Sequence, residues 1–199
     1  MASEQKQPVR PAVTFEVAPL DSYAQRISTA IAMIGGVLML PALFWFLSGI
    51  GSAFSTVVIP VAVALALVVW LILTYAVQPT SYQLEGDQLV IPRRWWRALR
   101  IPLRDVMGVS VASALADVPR AGLRRAFNAG VFGYHGLFQL DPYGTVFFSA
   151  TNRERLVAVA RRDRPPLIVS PSRPRDFVEA LREALIQRTE TYEDAVSSS

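Results

Sequence analysis

The sequence predicts a two-span transmembrane helical hairpin followed by a mainly-β domain that one C-terminal α-helix caps. Three observations carry that prediction: a charge-free apolar run near the N-terminus, short alternating segments after it, and a final amphipathic stretch with helical spacing. The 199 residues leave room for one domain of ordinary size beside the hairpin, and 52% of them are hydrophobic.

Between Arg26 and Glu85 stand 58 consecutive residues without an acidic or basic side chain. Soluble helices and strands keep one polar face, so this run is written for lipid. It divides into spans at 27–47 and 55–77, joined by the short turn "SGIGSAF". At 1.5 Å per residue each span reaches roughly the 30 Å of a hydrocarbon core. Pro41 and Pro60 fall inside the spans, where bilayer helices tolerate a kink. Phe44, Trp45 and Phe46 crowd the end of the first span, and Trp70 and Tyr75 lie near the end of the second. In an antiparallel hairpin these groups take opposite interfaces, as amphipathic rings prefer.

A cleaved signal peptide fits less well, because the segment ahead of the apolar run is 26 residues long and a second span follows at once. Lys6, Arg10 and Arg26 precede the hairpin, Arg93 to Arg104 follow it, and the turn has no basic residue. The positive-inside bias then puts both termini on the cytoplasmic side of a bacterial cytoplasmic membrane. Residues 1–26 are read as a cytoplasmic tail with an edge strand at 13–18. The absence of cysteine excludes disulfides and thiolate metal sites.

After the second span the period changes. "SYQLEGDQLVIP" reads as two strands about Glu85-Gly86-Asp87, with Gly86 supplying the positive φ of a tight turn. Further short runs follow at 99–103, 106–112, 136–140, 144–151, 155–161 and 165–170, most of them separated by turn residues such as Asp141-Pro142-Tyr143-Gly144. Seven or eight strands in so short a segment imply a closed or sandwiched antiparallel sheet. "ALADVPRAGLRRAFNAG" (114–130) reads as a long basic loop with a short helical turn. From Ser170 onward, Phe177, Leu181, Ala184 and Leu185 share one helical face. Ser172 is the expected N-cap and Pro174 sits in the first turn. The helix is expected to close the domain at 188, leaving 189–199 as a disordered acidic tail.

Two spans, then "PTSYQLEGDQLVIPRRWWRALRIPLRDVMGV", "GVFGYHGLFQLDPYGTVFFSATN" and "PLIVSPSRPRDFVEAL", resemble bacterial membrane-anchored proteins with a pleckstrin-homology-like (PH) domain. That resemblance implies a PH-like domain over 80–188: a seven-stranded bent sheet or partly open barrel, capped at one corner by the C-terminal helix. The fold is a generic binding platform, so function must come from the site.

His135 is the only histidine, which excludes a histidine metal cluster and a two-histidine acid–base pair. Ser149, His135 and Asp141 are the available triad types, yet no GxSxG elbow is present. A small membrane hydrolase centred on His135 is therefore the least favoured function, and no enzyme activity, catalytic residue, cofactor or metal is expected. "GVFGYHG" places Gly130, Gly133 and Gly136 every three residues around Phe132, Tyr134 and His135, the pattern of a loop or bulged strand that shows aromatic rings to a ligand or partner. The block "IPRRWWRALRIPL" sets Arg93, Arg94, Arg97 and Arg100 around Trp95 and Trp96, a candidate membrane-surface contact.

With pI near 9.8 but a net charge of only +4, the nearest phosphates for an anchored basic surface are lipid headgroups, and no nucleic acid is expected. The resulting expectation is a non-enzymatic docking or regulatory module that binds another membrane protein or itself as a homo-oligomer. A reader of anionic lipid headgroups through Arg93 to Arg100 is the alternative. Lipid bilayer contact is common to both.

Overall fold

Apolar side chains on every face leave a segment no choice but a helix that satisfies its own backbone. The structure, a computed structural model, describes residues 12–48, 54–112, 128–140 and 144–197. α1 (Ser22–Ser48) and α2 (Phe54–Ala76) pack along each other. Within them Ser22–Phe44 and Val58–Ala76 are long and apolar enough to cross a membrane. Only 11% of each window is buried inside the protein, so neither is the core helix of a soluble fold. Met33, Val37, Leu43, Ile59, Leu65 and Ile72 all face outward. The helices run through Pro41 and Pro60 without interruption.

α1 begins at Ser22, more than a turn ahead of Ile27, because Asp21 caps it. Asp21 Oδ1 accepts the Ala24 amide at 2.7 Å. Just upstream, β1 (Val13–Glu16) pairs antiparallel with β2 (Ser81–Glu85), Val13 facing Leu84 and Glu16 facing Ser81. Strands from before and after the hairpin thus lie side by side, and both ends of the hairpin meet the β-domain at one edge.

β2 turns through Gly86 (φ +56°) and Asp87 into β3 (Gln88–Ile91), and β4 (Leu99–Pro102) completes a four-stranded antiparallel sheet ordered β1-β2-β3-β4. A 3₁₀ turn, Leu103–Asp105, carries the chain into a second sheet. This holds β5 (Val106–Val111), β6 (Asn128–Ala129), β7 (Tyr134–Leu140), β8 (Gly144–Ala150), β9 (Val157–Arg161) and β10 (Arg164–Val169), in the order β5-β9-β10-β8-β7-β6.

Two expectations are corrected here. Among the described residues nine strands follow the hairpin rather than seven; β6 is only two residues long and shows no alternation to read. Nor is every pair antiparallel. The chain leaves β8, steps one strand outward to β9 and turns back, so β10 fills the gap beside β8 and runs parallel to it, Leu167 opposite Phe147.

Phe15, Tyr82, Leu89, Ile91, Ile101, Leu103, Val157, Val159, Leu167 and Val169 form the core shared by the two sheets. α3 (Pro174–Ser197) closes it with Phe177, Val178 and Leu181, and Ala184 and Leu185 pack at the margin. The Phe177 ring stands edge-on to Phe15 at 5.2 Å. Pro174 is the first helical residue, so the cap position falls on Arg173; Ser172, the expected cap, instead donates its backbone amide to Glu16 O at 2.8 Å. The helix also continues to Ser197, where a disordered tail was expected from 189. That stretch is acidic but holds no glycine or proline to stop a helix already nucleated by packing. The basic loop at 114–130 falls mostly outside the described residues, as do Asp141, Pro142 and Tyr143.

Candidate functional site

Two seams join the hairpin to the β-domain, and each is built from local sequence. At the entry seam, the second carboxylate oxygen of Asp21 accepts a hydrogen bond from Tyr134 Oη at 3.0 Å and one from the Arg153 amide at 3.2 Å. Asp21 therefore caps a membrane-length helix while holding β7 and the turn after β8. About two turns on, Ser28 Oγ donates to Ala24 O at 2.7 Å and accepts the Phe132 amide at 2.9 Å. Asn152 Nδ2 donates to Pro19 O at 2.9 Å, and Thr151 Oγ1 donates to Ala18 O. Every one of these groups except Pro19 and Phe132 is in a buried residue, so the seam is polar, dry and fully directional.

At the exit seam, α2 ends on orphan carbonyls that need donors. The connection between β3 and β4 supplies them: the Trp95 amide donates to Ala76 O at 3.1 Å and the Arg94 amide to Gln78 O at 3.0 Å. Basic residues at a helix C-terminus also suit its dipole. Tyr75, in the last turn of α2, gathers three groups on one ring. The Arg94 guanidinium lies 4.4 Å above it, Trp95 stands edge-on at 5.2 Å, and Phe132 does so at 5.4 Å. The arginine–tryptophan block and the glycine–aromatic segment, separate in sequence, thus meet on one side chain.

The block does not act as a unit. Arg94, Trp95, Trp96, Arg97 and Arg100 are exposed, with Trp95 at 66% and Trp96 at 56%. Arg93 turns inward instead: it bridges Pro79 in the backbone, and burial pulls its guanidinium below the ordinary arginine value.

The glycine–aromatic segment, expected as a loop or a bulged strand, is a turn that runs straight into a strand. Tyr134, His135 and Gly136 are the first residues of β7, and Tyr134 and His135 are buried. Only Gly130 to Gly133 turn, with the Gly130 amide donating to Gly133 O at 3.0 Å and Phe132 forced to φ +52°. Gly133 is at φ +121°, and a Cβ there would lie 2.7 Å from Ala150 O. The turn is that tight because it sits against α1 and β8 together; Tyr134 and His135 are buried there, and Phe132 is half-buried against Tyr75.

His135 is 6% exposed and held neutral: burial, then the Arg93 charge, push its pKa down to about 4, against a hydrogen bond with the Phe132 backbone. Its Nε2 has no partner, so that bond is on Nδ1 and Nε2 carries a bare lone pair. Ser149 faces His135 across the β7–β8 pair, yet its Oγ is buried without a partner as well. The two do not hydrogen-bond each other, so the nucleophile–base bond of a hydrolase is missing, and a base of such low pKa is weak at neutral pH. Among the described residues no group of His, Asp or Glu could hold a metal ion. Beside His135 lies a cavity of about 170 Å³ lined by Val77, Arg93, His135, Gly136, Phe147 and Phe148. Sequence reasoning missed Asp21 and Tyr75 as the residues that organise both seams. The signal for Asp21 was its place as an acid a few residues ahead of the charge-free run, where a helix N-cap is needed.

A two-sheet β-domain, its core closed by a C-terminal helix and its first strands tied to an apolar hairpin, defines the PH-like class. Residues 80–185 match the family described as Bacterial PH domain. The match covers more than half of the chain, which therefore belongs to that family. It begins just before β2, so β1 and the hairpin lie outside it. No curated protein matches the chain.

Proposed function

We propose that the chain is a membrane-anchored, non-enzymatic PH-like module on the cytoplasmic face of the bacterial membrane, where it docks on another membrane protein or on a second copy of itself. The observation that carries this reading is the double seam: a platform tied to both ends of a membrane-length hairpin has a set orientation at the bilayer. An exposed apolar strand face supports docking. β5 pairs only with β9 among the described residues and turns Met107 (69% exposed) and Val111 (46%) outward, and β4 at the edge of the other sheet presents Arg100. Such edges accept an added strand. The rings of Phe132 and Tyr134 are engaged in the seams, so the added strand is expected at the β5 edge and not at the glycine–aromatic segment.

A photo-crosslinker at position 107 of the full chain in native membranes tests this. Docking predicts a discrete adduct, with another protein or with itself, that Val111→Arg weakens; recovery of monomer alone overturns docking. An accessible N-terminus in intact spheroplasts overturns the cytoplasmic assignment.

A second reading has its own observation. Exposed Trp95 and Trp96 beside Arg94, Arg97 and Arg100 sit where α2 ends, the composition of a headgroup contact, worth roughly 1 kcal/mol per basic residue on an anionic leaflet. Quenching of Trp95 and Trp96 by brominated anionic lipid, lost in an Arg94/Arg97/Arg100→Gln chain, is its expected mark; no quenching contradicts it.

A further inference from the structure

The free edge of β5 is not an open row of backbone groups. The Ala112 amide donates to Leu156 O, and the register of β5 on β9 runs on from there, with Val111 opposite Val157, Ser110 opposite Ala158 and Val109 opposite Val159. In an antiparallel ladder bonded and non-bonded pairs alternate. Ala112, Ser110 and Gly108 therefore spend their backbone groups on β9, while Val109 and Val111 aim theirs at the free edge. One of those groups is already taken: Arg182, on α3, donates from Nη2 to Val109 O at 3.3 Å. An added strand needs that carbonyl, so Arg182 must leave it before a strand can pair there. Arg182 is exposed, and among the described residues it makes no ion pair, although Glu179 and Glu183 stand near it on α3. Its guanidinium holds one carbonyl through one long bond, where a carboxylate would accept two shorter ones.

From this arrangement we infer that the β5 edge selects an extended segment of a partner protein that carries a carboxylate, with Arg182 as the residue that sets the specificity. The inference rests on the strand-docking reading above and names the kind of partner that fits it. On an added strand, the residue opposite Val109 shares the side of the sheet that Val109 occupies. Val109 belongs to the core that α3 closes, so that is the side α3 covers. A carboxylate placed there meets the guanidinium as it swings off Val109 O, and the carbonyl passes to a backbone amide of the incoming strand. A neutral residue leaves the arginine displaced with nothing in exchange. Two residues on, Val111 is exposed on the same side and suits an apolar neighbour. The partner strand thus sets an acid and an apolar residue two apart on its face towards α3.

Two blocked, fluorescein-labelled peptides test the selection: Thr-Val-Thr-Glu-Thr-Val-Thr and the same chain with Gln at its centre. The order of residues reads alike from either end, so either strand direction can set the central residue opposite Val109. Each peptide is titrated against the full-length protein in phosphatidylcholine nanodiscs, with affinity read by fluorescence anisotropy and the place of binding by hydrogen exchange of the β5 amides. The Glu peptide is expected to bind about tenfold more tightly than the Gln peptide and to slow exchange at Val109 and Val111. Arg182→Met should close that gap. Arg188→Gln, which removes an arginine of the same helix that pairs with Asp87, should leave the gap in place. Equal affinities in the native chain, or a gap that survives Arg182→Met, overturn the role of Arg182 and leave docking at β5 standing. Exchange at β5 unmoved by either peptide overturns strand addition there, and the selection with it.

Discussion

The two seams that tie the hairpin to the β-domain solve the same problem with opposite chemistry. At the entry, one buried carboxylate, Asp21, serves a helix cap, a tyrosine hydroxyl and a backbone amide within about 3 Å. At the exit, backbone hydrogen bonds tie down the end of α2, and the side chains meet on the Tyr75 ring, with a guanidinium over its face, two aromatic rings edge-on and much of the assembly open to solvent. Buried directional bonds lock an angle, because displacing them leaves unpaired polar groups. Ring and cation–π contacts are softer and tolerate sliding. The entry seam therefore sets where the domain sits, and the exit seam presents Trp95, Trp96 and the outer arginines from that position.

Breaking the entry seam should cost most. Asp21→Ala removes the α1 cap and the carboxylate partner of Tyr134 and of the Arg153 amide, a loss of roughly 3 kcal/mol. Thermal unfolding of the full chain in detergent reads this as a lower Tm, and Asp21→Asn, which keeps the capping oxygen, should recover about half.

Acid comes next. His135 titrates near 4 in the folded chain against an ordinary 6.5, so as pH falls the unfolded chain takes up its proton first. The stability His135 contributes is complete above about 6.5 and is lost as pH drops toward 4, roughly 2 kcal/mol of it by pH 5. Denaturant unfolding at pH 7 and pH 5 should show that loss, and His135→Gln should flatten the pH dependence over this window.

The exit seam should give the smallest effect. Tyr75→Leu keeps apolar volume but forfeits the ring contacts, for about 1 kcal/mol. Its clearer mark is greater mobility of Trp95, read as a drop in fluorescence anisotropy in a chain where the other tryptophans are phenylalanine.

The same contrast explains what could be read from the sequence. The spans were legible because 58 uncharged residues admit one explanation, and the α3 face because Phe177, Leu181, Ala184 and Leu185 recur at helical spacing. The strands on either side of the arginine–tryptophan block were legible as well, since short apolar runs end at Ile91 and resume at Leu99. The parallel β8–β10 pair was not, because pairing between strands distant in sequence leaves no local periodicity. Glycines at every third position left loop and bulged strand equally open for Tyr134 and His135, because the pattern does not show that Gly130 and Gly133 serve the close approach of this segment to α1 and β8. The tertiary role of Asp21 was not legible, since Tyr134 and Arg153, which its second carboxylate oxygen holds, lie more than a hundred residues away. Arg93 looked like its neighbours, and only the fold separates the one arginine that turns inward.

With seams at both ends, the β-domain is fixed to the hairpin and not hung from it on a flexible tether. Double electron–electron resonance between spin labels at Met39 on α1 and Glu179 on α3, in full-length chain reconstituted in nanodiscs, measures this directly. One narrow distance distribution is expected, broadening in Asp21→Ala. A broad or multimodal distribution in the native chain would contradict it.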